Sequence, residues 1–165
     1  MEIRKLNAND AQLYYDLRIE ALTNSPDVFA TRLEDAVKRP VAQTAESLAL
    51  AHAVTFGAFA DGDLCANVTL LRNTAPKMDH RASVVAVYVT PSARGKGIAS
   101  RLMLELLDYA AGWQGLERLD LMVASENLQA IELYEKLGFE KYGTEIRAMK
   151  IGEKYIDEDM MVKFI

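Results

Sequence analysis

The stretch from Ser83 to Ser100 limits what this chain can fold into more than any other. Ser83-Val84-Val85-Ala86-Val87-Tyr88-Val89 is a continuous apolar, β-branched run and reads as a strand buried on both faces. Thr90-Pro91 ends it, because proline brings no N–H to a ladder. Arg94-Gly95-Lys96-Gly97 then opens an amphipathic helix. Ile98, Leu102, Leu106, Tyr109 and Trp113 recur on one face, with Arg101, Glu105 and Asp108 opposite. A buried strand delivered through glycines to a helix start calls for a layered α/β fold, since both elements need cover. It also leaves unpaired helix N–H groups beside two cations.

That junction reads as an anion site. Gly95 and Gly97 let a ligand approach the backbone closely. Between Asp79 and Glu105 the chain carries Arg81, Arg94, Lys96 and Arg101 and no acid, although its net charge is -5. A phosphate or pyrophosphate is the natural ligand, and a plain turn with solvated cations is the alternative. Gly95-Lys96-Gly97-Ile98-Ala99-Ser100 does not supply the G-x-x-x-x-G-K-[ST] of a Walker loop. A dinucleotide fingerprint wants Gly or Ala where Ser100 stands, and an acid ending the next strand, whereas Asp120 lies inside it.

The rest of the chain supplies the layers. Ile3 to Leu6 reads as a short strand, followed by Asn7 as an N-cap with Asp10 as its capping-box partner. Leu13, Tyr14, Leu17, Ala21 and Leu22 follow at helical spacing until Asn24-Ser25-Pro26-Asp27 breaks the helix. Residues 31–51 read as one or two helical pieces interrupted near Pro40. Residues 52–60 and 64–72 flank Asp61-Gly62-Asp63 as a hairpin. Arg118 to Val123 reads as a second buried strand. Leu128 to Leu137 reads as a helix capped by Asn127 and closed by Gly138, and residues 139–149 and 154–164 as two closing strands. The expected architecture is a single α/β domain over residues 1–165. Its sheet is mixed, mostly antiparallel and twisted, with helices on both faces. A central parallel pair within residues 83–138 is joined by a right-handed crossover.

Composition excludes several classes. With 165 residues, 50% hydrophobic and 26% charged, the chain can bury a real core. One cysteine, Cys65, allows no intramolecular disulfide, and with two histidines it leaves no zinc site in prospect. Cys65 reads as a buried core thiol. A pI of about 5.1 argues against a nucleic-acid partner. No apolar leader follows Met1 and no run reaches membrane length, so the expectation is a cytoplasmic chain with no membrane partner.

Arg94-Gly95-Lys96-Gly97-Ile98-Ala99, led in by Val89-Thr90-Pro91, resembles the R/Q-x-x-G-x-G/A signature of the GNAT superfamily of N-acetyltransferases. Asn127-Leu128-Gln129-Ala130-Ile131-Glu132-Leu133-Tyr134-Glu135-Lys136-Leu137-Gly138-Phe139 resembles the second motif of that superfamily. The resemblance implies that acetyl-CoA lies in a V-shaped opening between the parallel strands ending near Val89 and Val123. Its pyrophosphate would rest on the N–H groups of Gly95, Lys96, Gly97, Ile98, Ala99 and Ser100, with Arg94 beside them. Its pantetheine arm would pair like an extra strand with Val87, Tyr88 and Val89. A bulge there would free an N–H near Val89 to polarise the thioester carbonyl. The resemblance also implies that Tyr134 donates a proton to the departing thiolate, that Asn127 touches the pantetheine arm or a bridging water, and that no metal takes part. The acceptor would be a small-molecule or peptide amine.

The residues keep other readings beside these. By periodicity alone Tyr134 is a packing residue with Ala130, Ile131, Leu133 and Leu137, and Asn127 is a helix cap. Ser83 matches the position where many family members carry a glutamate base. Glu34, Asp35, Glu126 and His80 are other conceivable bases, and none is assigned. Asp157-Glu158-Asp159 is either a solvated edge or an attraction for a cationic amine. Acceptor recognition falls to residues 24–30, the helices up to residue 51 and the turn near Gly152, with Phe29 and Tyr155 as candidate pocket aromatics. Dimerisation through the closing strands is open. Two rival functions stand: a non-catalytic acyl-CoA-binding sensor, and a nucleotide-dependent oxidoreductase built on Gly95-x-Gly97.

Overall fold

The computed structural model describes residues 1–165. Its strands are β1 (Glu2–Lys5), β2 (Ala53–Ala60), β3 (Asp63–Arg72), β4 (Arg81–Val89), β5 (Arg118–Ala124), β6 (Glu140–Ile151) and β7 (Lys154–Phe164). Its helices are α1 (Ala11–Asn24), α2 (Leu33–Ala36), α3 (Val41–Leu48), α4 (Ile98–Ala111) and α5 (Leu128–Lys136). The strands form one sheet in the order β1-β2-β3-β4-β5-β7-β6. Every neighbouring pair is antiparallel except β4 and β5. That single parallel pair excludes the mostly parallel sheet on which the oxidoreductase reading depended.

Local chemistry fixes the element ends. Asp61 and Gly62 both take positive φ, 52° and 93°, so β2 and β3 join through a two-residue turn of the twist that hairpins need. Asn7 accepts from the Asn9 N–H at 2.9 Å while Asp10 accepts from the Asn7 N–H at 2.9 Å, and Arg4 holds Asp10 at 2.8 Å. That ring starts the first helical turn as the sequence implies. The interruption near Pro40 falls between α2 and α3.

Two cores lie on opposite faces of the sheet. Ile98, Leu102, Met103 and Leu106 of α4 pack with Val68, Leu70, Ala82 and Val84 in the larger one, which includes Cys65. Leu17 and Ala21 of α1 pack with Phe59, Leu64 and Tyr88 in the smaller. The face under α1 is covered only in part. Where β4 adjoins β5 it is open, and Val85 and Met122 are 38% and 46% exposed. The expectation that residues 83–89 are buried on both faces is therefore corrected: β4 alternates, because one face of it is the floor of a cleft.

Candidate active site

β4 and β5 pair over three positions only, Arg81↔Arg118, Ala82↔Leu119 and Ser83↔Asp120. At the last of these, Asp120 receives Arg81 Nε at 3.0 Å and Arg118 Nε at 2.9 Å, so two guanidinium groups pin the apex of a V. Beyond the apex the strands part and enclose a cleft of about 960 Å³. Residues 84–89 of β4 form one wall and residues 121–124 of β5 the other. Their facing backbone edges have no partner strand. Unpaired backbone groups are costly to enclose, so such a slot suits an extended ligand that hydrogen-bonds like a strand.

A bulge sits in the β4 wall. Register with β3 shifts between Asn67 and Thr69, and Ala86 takes φ 54°. A non-glycine residue held there is strained, and strain of this kind gathers at functional sites. Asn67, 3% exposed, locks the bulge by donating its Nδ2 to the Ala86 carbonyl at 2.5 Å.

The loop after β4 makes one mouth of the cleft. Gly95 and Gly97 take φ 75° and 71°, and a Cβ at either would meet nothing within 4 Å. Gly97 caps α4 without any side-chain hydrogen bond. The N–H groups of Gly95 to Ser100 find no acceptor in the chain. Open space above six free donors at a helix N-terminus is a fit for a pyrophosphate. Arg94 clamps this loop to the strand by donating Nε to the Val89 carbonyl at 3.0 Å, with its guanidinium 5.9 Å from the Tyr88 ring centroid. Val87, Tyr88, Val89, Arg94, Gly95, Gly97, Ile98, Ala99, Ser100 and Asn127 all line the cleft. The Lys96 side chain does not: its Nζ turns back to the Ser92 carbonyl at 3.0 Å.

Tyr134 stands on α5 and lines the cleft. Its ring packs edge-on to Phe139, with centroids 6.1 Å apart, and the residue is 6% exposed. Both readings of it thus meet in one geometry. The ring is core, while the hydroxyl has no partner in the chain and is not sealed off, so it opens to the cleft. Burial pushes its pKa up to about 12, which keeps the hydroxyl neutral and able to donate. Asn127 does cap α5, accepting from the Ala130 N–H at 3.3 Å.

The opposite mouth lies on the α1 side of the sheet. Arg18, Ser25, Val28, Phe29, Ala30 and Thr31 line it, over a floor that includes Ser83, Val85, Met122 and Met160. Phe29 is where the sequence puts it. Tyr155 is not: it lies outside the lining, 46% exposed, with Arg147 stacked 4.6 Å from its ring centroid. Glu34, Asp35, Glu126 and His80 are also outside the lining, and Glu34 and Asp35 are paired with Arg32. The acidic run divides. Asp159 is buried under Ser125, Thr144 and Lys141, whose hydrogen bonds hold its carboxyl below the usual range, Ser125 contributing most. Glu158 sits opposite Glu145, and its pKa is raised by burial first and by that neighbour second. Sequence reading missed Arg18, and it missed Asp120 as the pin of the apex. A carboxylate inside a buried-type strand, two residues from one arginine, was the signal for Asp120.

A mixed, mostly antiparallel sheet opened at its one parallel pair, with a helix N-terminus at one mouth of the opening, defines the class of α/β fold. The chain belongs to the acetyltransferase (GNAT) family, whose model matches residues 15–139. An L-amino acid N-acetyltransferase of Escherichia coli is 33% identical over 62% of this chain and 63% of its own length. A spermidine N(1)-acetyltransferase of Vibrio cholerae is 34% identical over 50% and 47%. The chain thus spans about half to two thirds of the length of the curated relatives it matches. A GNAT-family acetyltransferase from Streptococcus pneumoniae superposes with a TM-score of 0.91 over 99% of both chains at 24% identity, which shares the fold. No helix of the structure is long and apolar enough to cross a membrane.

Proposed function

We propose that this protein is an acetyl-CoA-dependent N-acetyltransferase that moves an acetyl group to a small primary amine by direct attack on the thioester. The observation that carries the reading is a cleft reaching both faces of the sheet at the splayed β4–β5 pair, with free N–H groups at one mouth and Tyr134 in its lining. Acetyl-CoA, when bound, supplies an acetyl group activated as a thioester. The N–H groups of Gly95 to Ser100 and Arg94 would hold its pyrophosphate, and the free edge of Val87 to Val89 its pantetheine arm. The expected bulge near Val89 falls a few residues earlier, around Ala86, and a backbone N–H there would stabilise negative charge building on the carbonyl oxygen. The neutral Tyr134 hydroxyl would donate its proton to the sulfur as it leaves.

The attacking amine must first lose a proton. Asp120 is the one carboxylate in the lining, and it is already held by Arg81 and Arg118. We therefore assign deprotonation to solvent, and kcat/KM should climb with pH until it reaches the acceptor amine's own pKa. A plateau well below that value would mean a protein base.

Calorimetry tests the donor site. Saturable heat with acetyl-CoA and none with NADH is the expected result, and heat with NADH alone would overturn the reading. CoA release on adding amines then separates a transferase from a module that only binds acyl-CoA.

A further inference from the structure

We propose that the acceptor amine carries a carboxylate, and that Arg18 binds it at the α1-side mouth of the cleft. The inference rests on the transferase reading and names its substrate class.

Arg18 lines the cleft from α1 and makes no hydrogen bond or ion pair within the chain. Its guanidinium lies 4.5 Å from the Phe29 ring centroid, and Phe29 is set edge-on to Tyr88 of β4 at 6.4 Å. The guanidinium is thus held over an aromatic ring with its N–H donors unspent. Arg18 is half-buried, and burial pushes its pKa down. Among its charged and titratable neighbours Arg39 acts in the same sense, and only Tyr14 opposes. A partly desolvated cation without a counter-ion is an unfavourable arrangement that an anionic ligand relieves. A carboxylate matches the guanidinium fork in charge and shape.

The charges lining the cleft separate this class from polyamines. They are Arg18, Arg81, Arg94 and Asp120. Arg81 is spent on Asp120, and Arg94 is fixed beside the glycine loop. No free carboxylate remains to hold the second ammonium of a polyamine. The apolar floor of Val85, Met122 and Met160 and the wall of Val28 would instead take an uncharged side chain.

The test measures CoA release with a panel of L-amino acids, their carboxamides, dipeptides and spermidine. Removing the carboxylate also lowers the ammonium pKa, so the carboxamides hold more free amine and any loss is not one of protonation. Carboxamides should fall by about 30-fold in kcat/KM, mostly through KM. Dipeptides matching the free amino acids would assign the carboxylate to a peptide; dipeptides failing with the carboxamides would assign it to a single amino acid. Arg18→Gln should lose the preference for acid over carboxamide while the acetyl-CoA affinity stays put, and Arg18→Lys should restore part of it. A merely structural role for Arg18 would lower all substrates together and leave the preference. Wild-type protein that uses carboxamides or spermidine as well as the amino acids would overturn the inference and leave the transferase reading standing. Binding of acetyl-CoA with no amine of any class turned over would sink both.

Discussion

The two mouths of the cleft are made of different material. The glycine-loop mouth, proposed for the donor, is backbone: a loop of left-handed glycines, a helix N-terminus without a side-chain cap, and a strand edge with nothing beside it. The α1-side mouth, proposed for the acceptor, is side chains: Arg18 and Phe29 from around α1, Met122 from β5 and Met160 from β7, over a sheet face left bare. Backbone devices need particular residues at particular spacing, so they leave a motif. Side-chain devices need only that distant segments converge, so they leave none.

The Tyr134 hydroxyl should give the largest effect. Tyr134→Phe removes an unpartnered hydroxyl from the cleft lining and leaves the ring packing against Phe139. We expect kcat to fall by about 100-fold, the size typical of a lost proton donor, with the acetyl-CoA affinity unchanged. The pH profile carries a second check. Burial disfavours the tyrosinate, so the folded pKa of about 12 lies above the ordinary value of Tyr. The donor form is therefore complete below pH ~10 and is lost only on approaching the raised value. A fall in kcat beginning near neutral pH would point to another group.

Next in size is the lock on the bulge. Asn67→Leu removes the donor to the Ala86 carbonyl and leaves that strained residue unsupported. About 2 kcal/mol of stability should go with it, or roughly 4–8 °C in Tm, together with part of kcat. Loss of Tm without loss of kcat would make the bulge architecture only. Gly97→Val sharpens the donor side. A Cβ at Gly97 meets no protein atom, so the substitution acts through φ 71° and through the space the pyrophosphate would occupy. Forcing an L side chain into that region costs about 1–2 kcal/mol, which should appear as about tenfold weaker acetyl-CoA binding with the amine KM untouched.

Legibility follows the same line. The glycine loop, the element order, the Asn7 and Asn127 caps and the existence of the hairpin could all be read, because each is a local rule with residues to match, whereas Asp63, read as part of the loop, already belongs to β3. The alternation of β4 could not. Val85 is as apolar as Val84, and nothing in the residue says that its face is a cleft floor rather than a core. Arg18 reads as one more cation on a helix surface. Its significance depends on what the fold fails to place beside it. Lys96 shows the converse: its charge suits a phosphate, yet its side chain is spent on Ser92.

Asn127 stands where the two kinds of material coincide, and it should give the smallest effect. Its Oδ1 accepts from the Ala130 N–H, which is a cap, while its Nδ2 donates to nothing in the chain and the residue lines the cleft. Asn127→Ala removes both functions and should cost about 1 kcal/mol, or roughly 2–4 °C in Tm. Asn127→Asp separates them. Aspartate caps as well as asparagine does and places its charge at the favourable end of α5, so stability should hold. It also replaces the free amide donor by an acceptor. If acetyl-CoA binding weakens in Asn127→Asp while Tm is kept, the amide reaches the ligand and the donor site uses at least one side chain. If binding is kept in both variants, Asn127 is a cap alone, and the contrast between a backbone-built donor mouth and a side-chain-built acceptor mouth becomes sharper than the cleft lining by itself makes it.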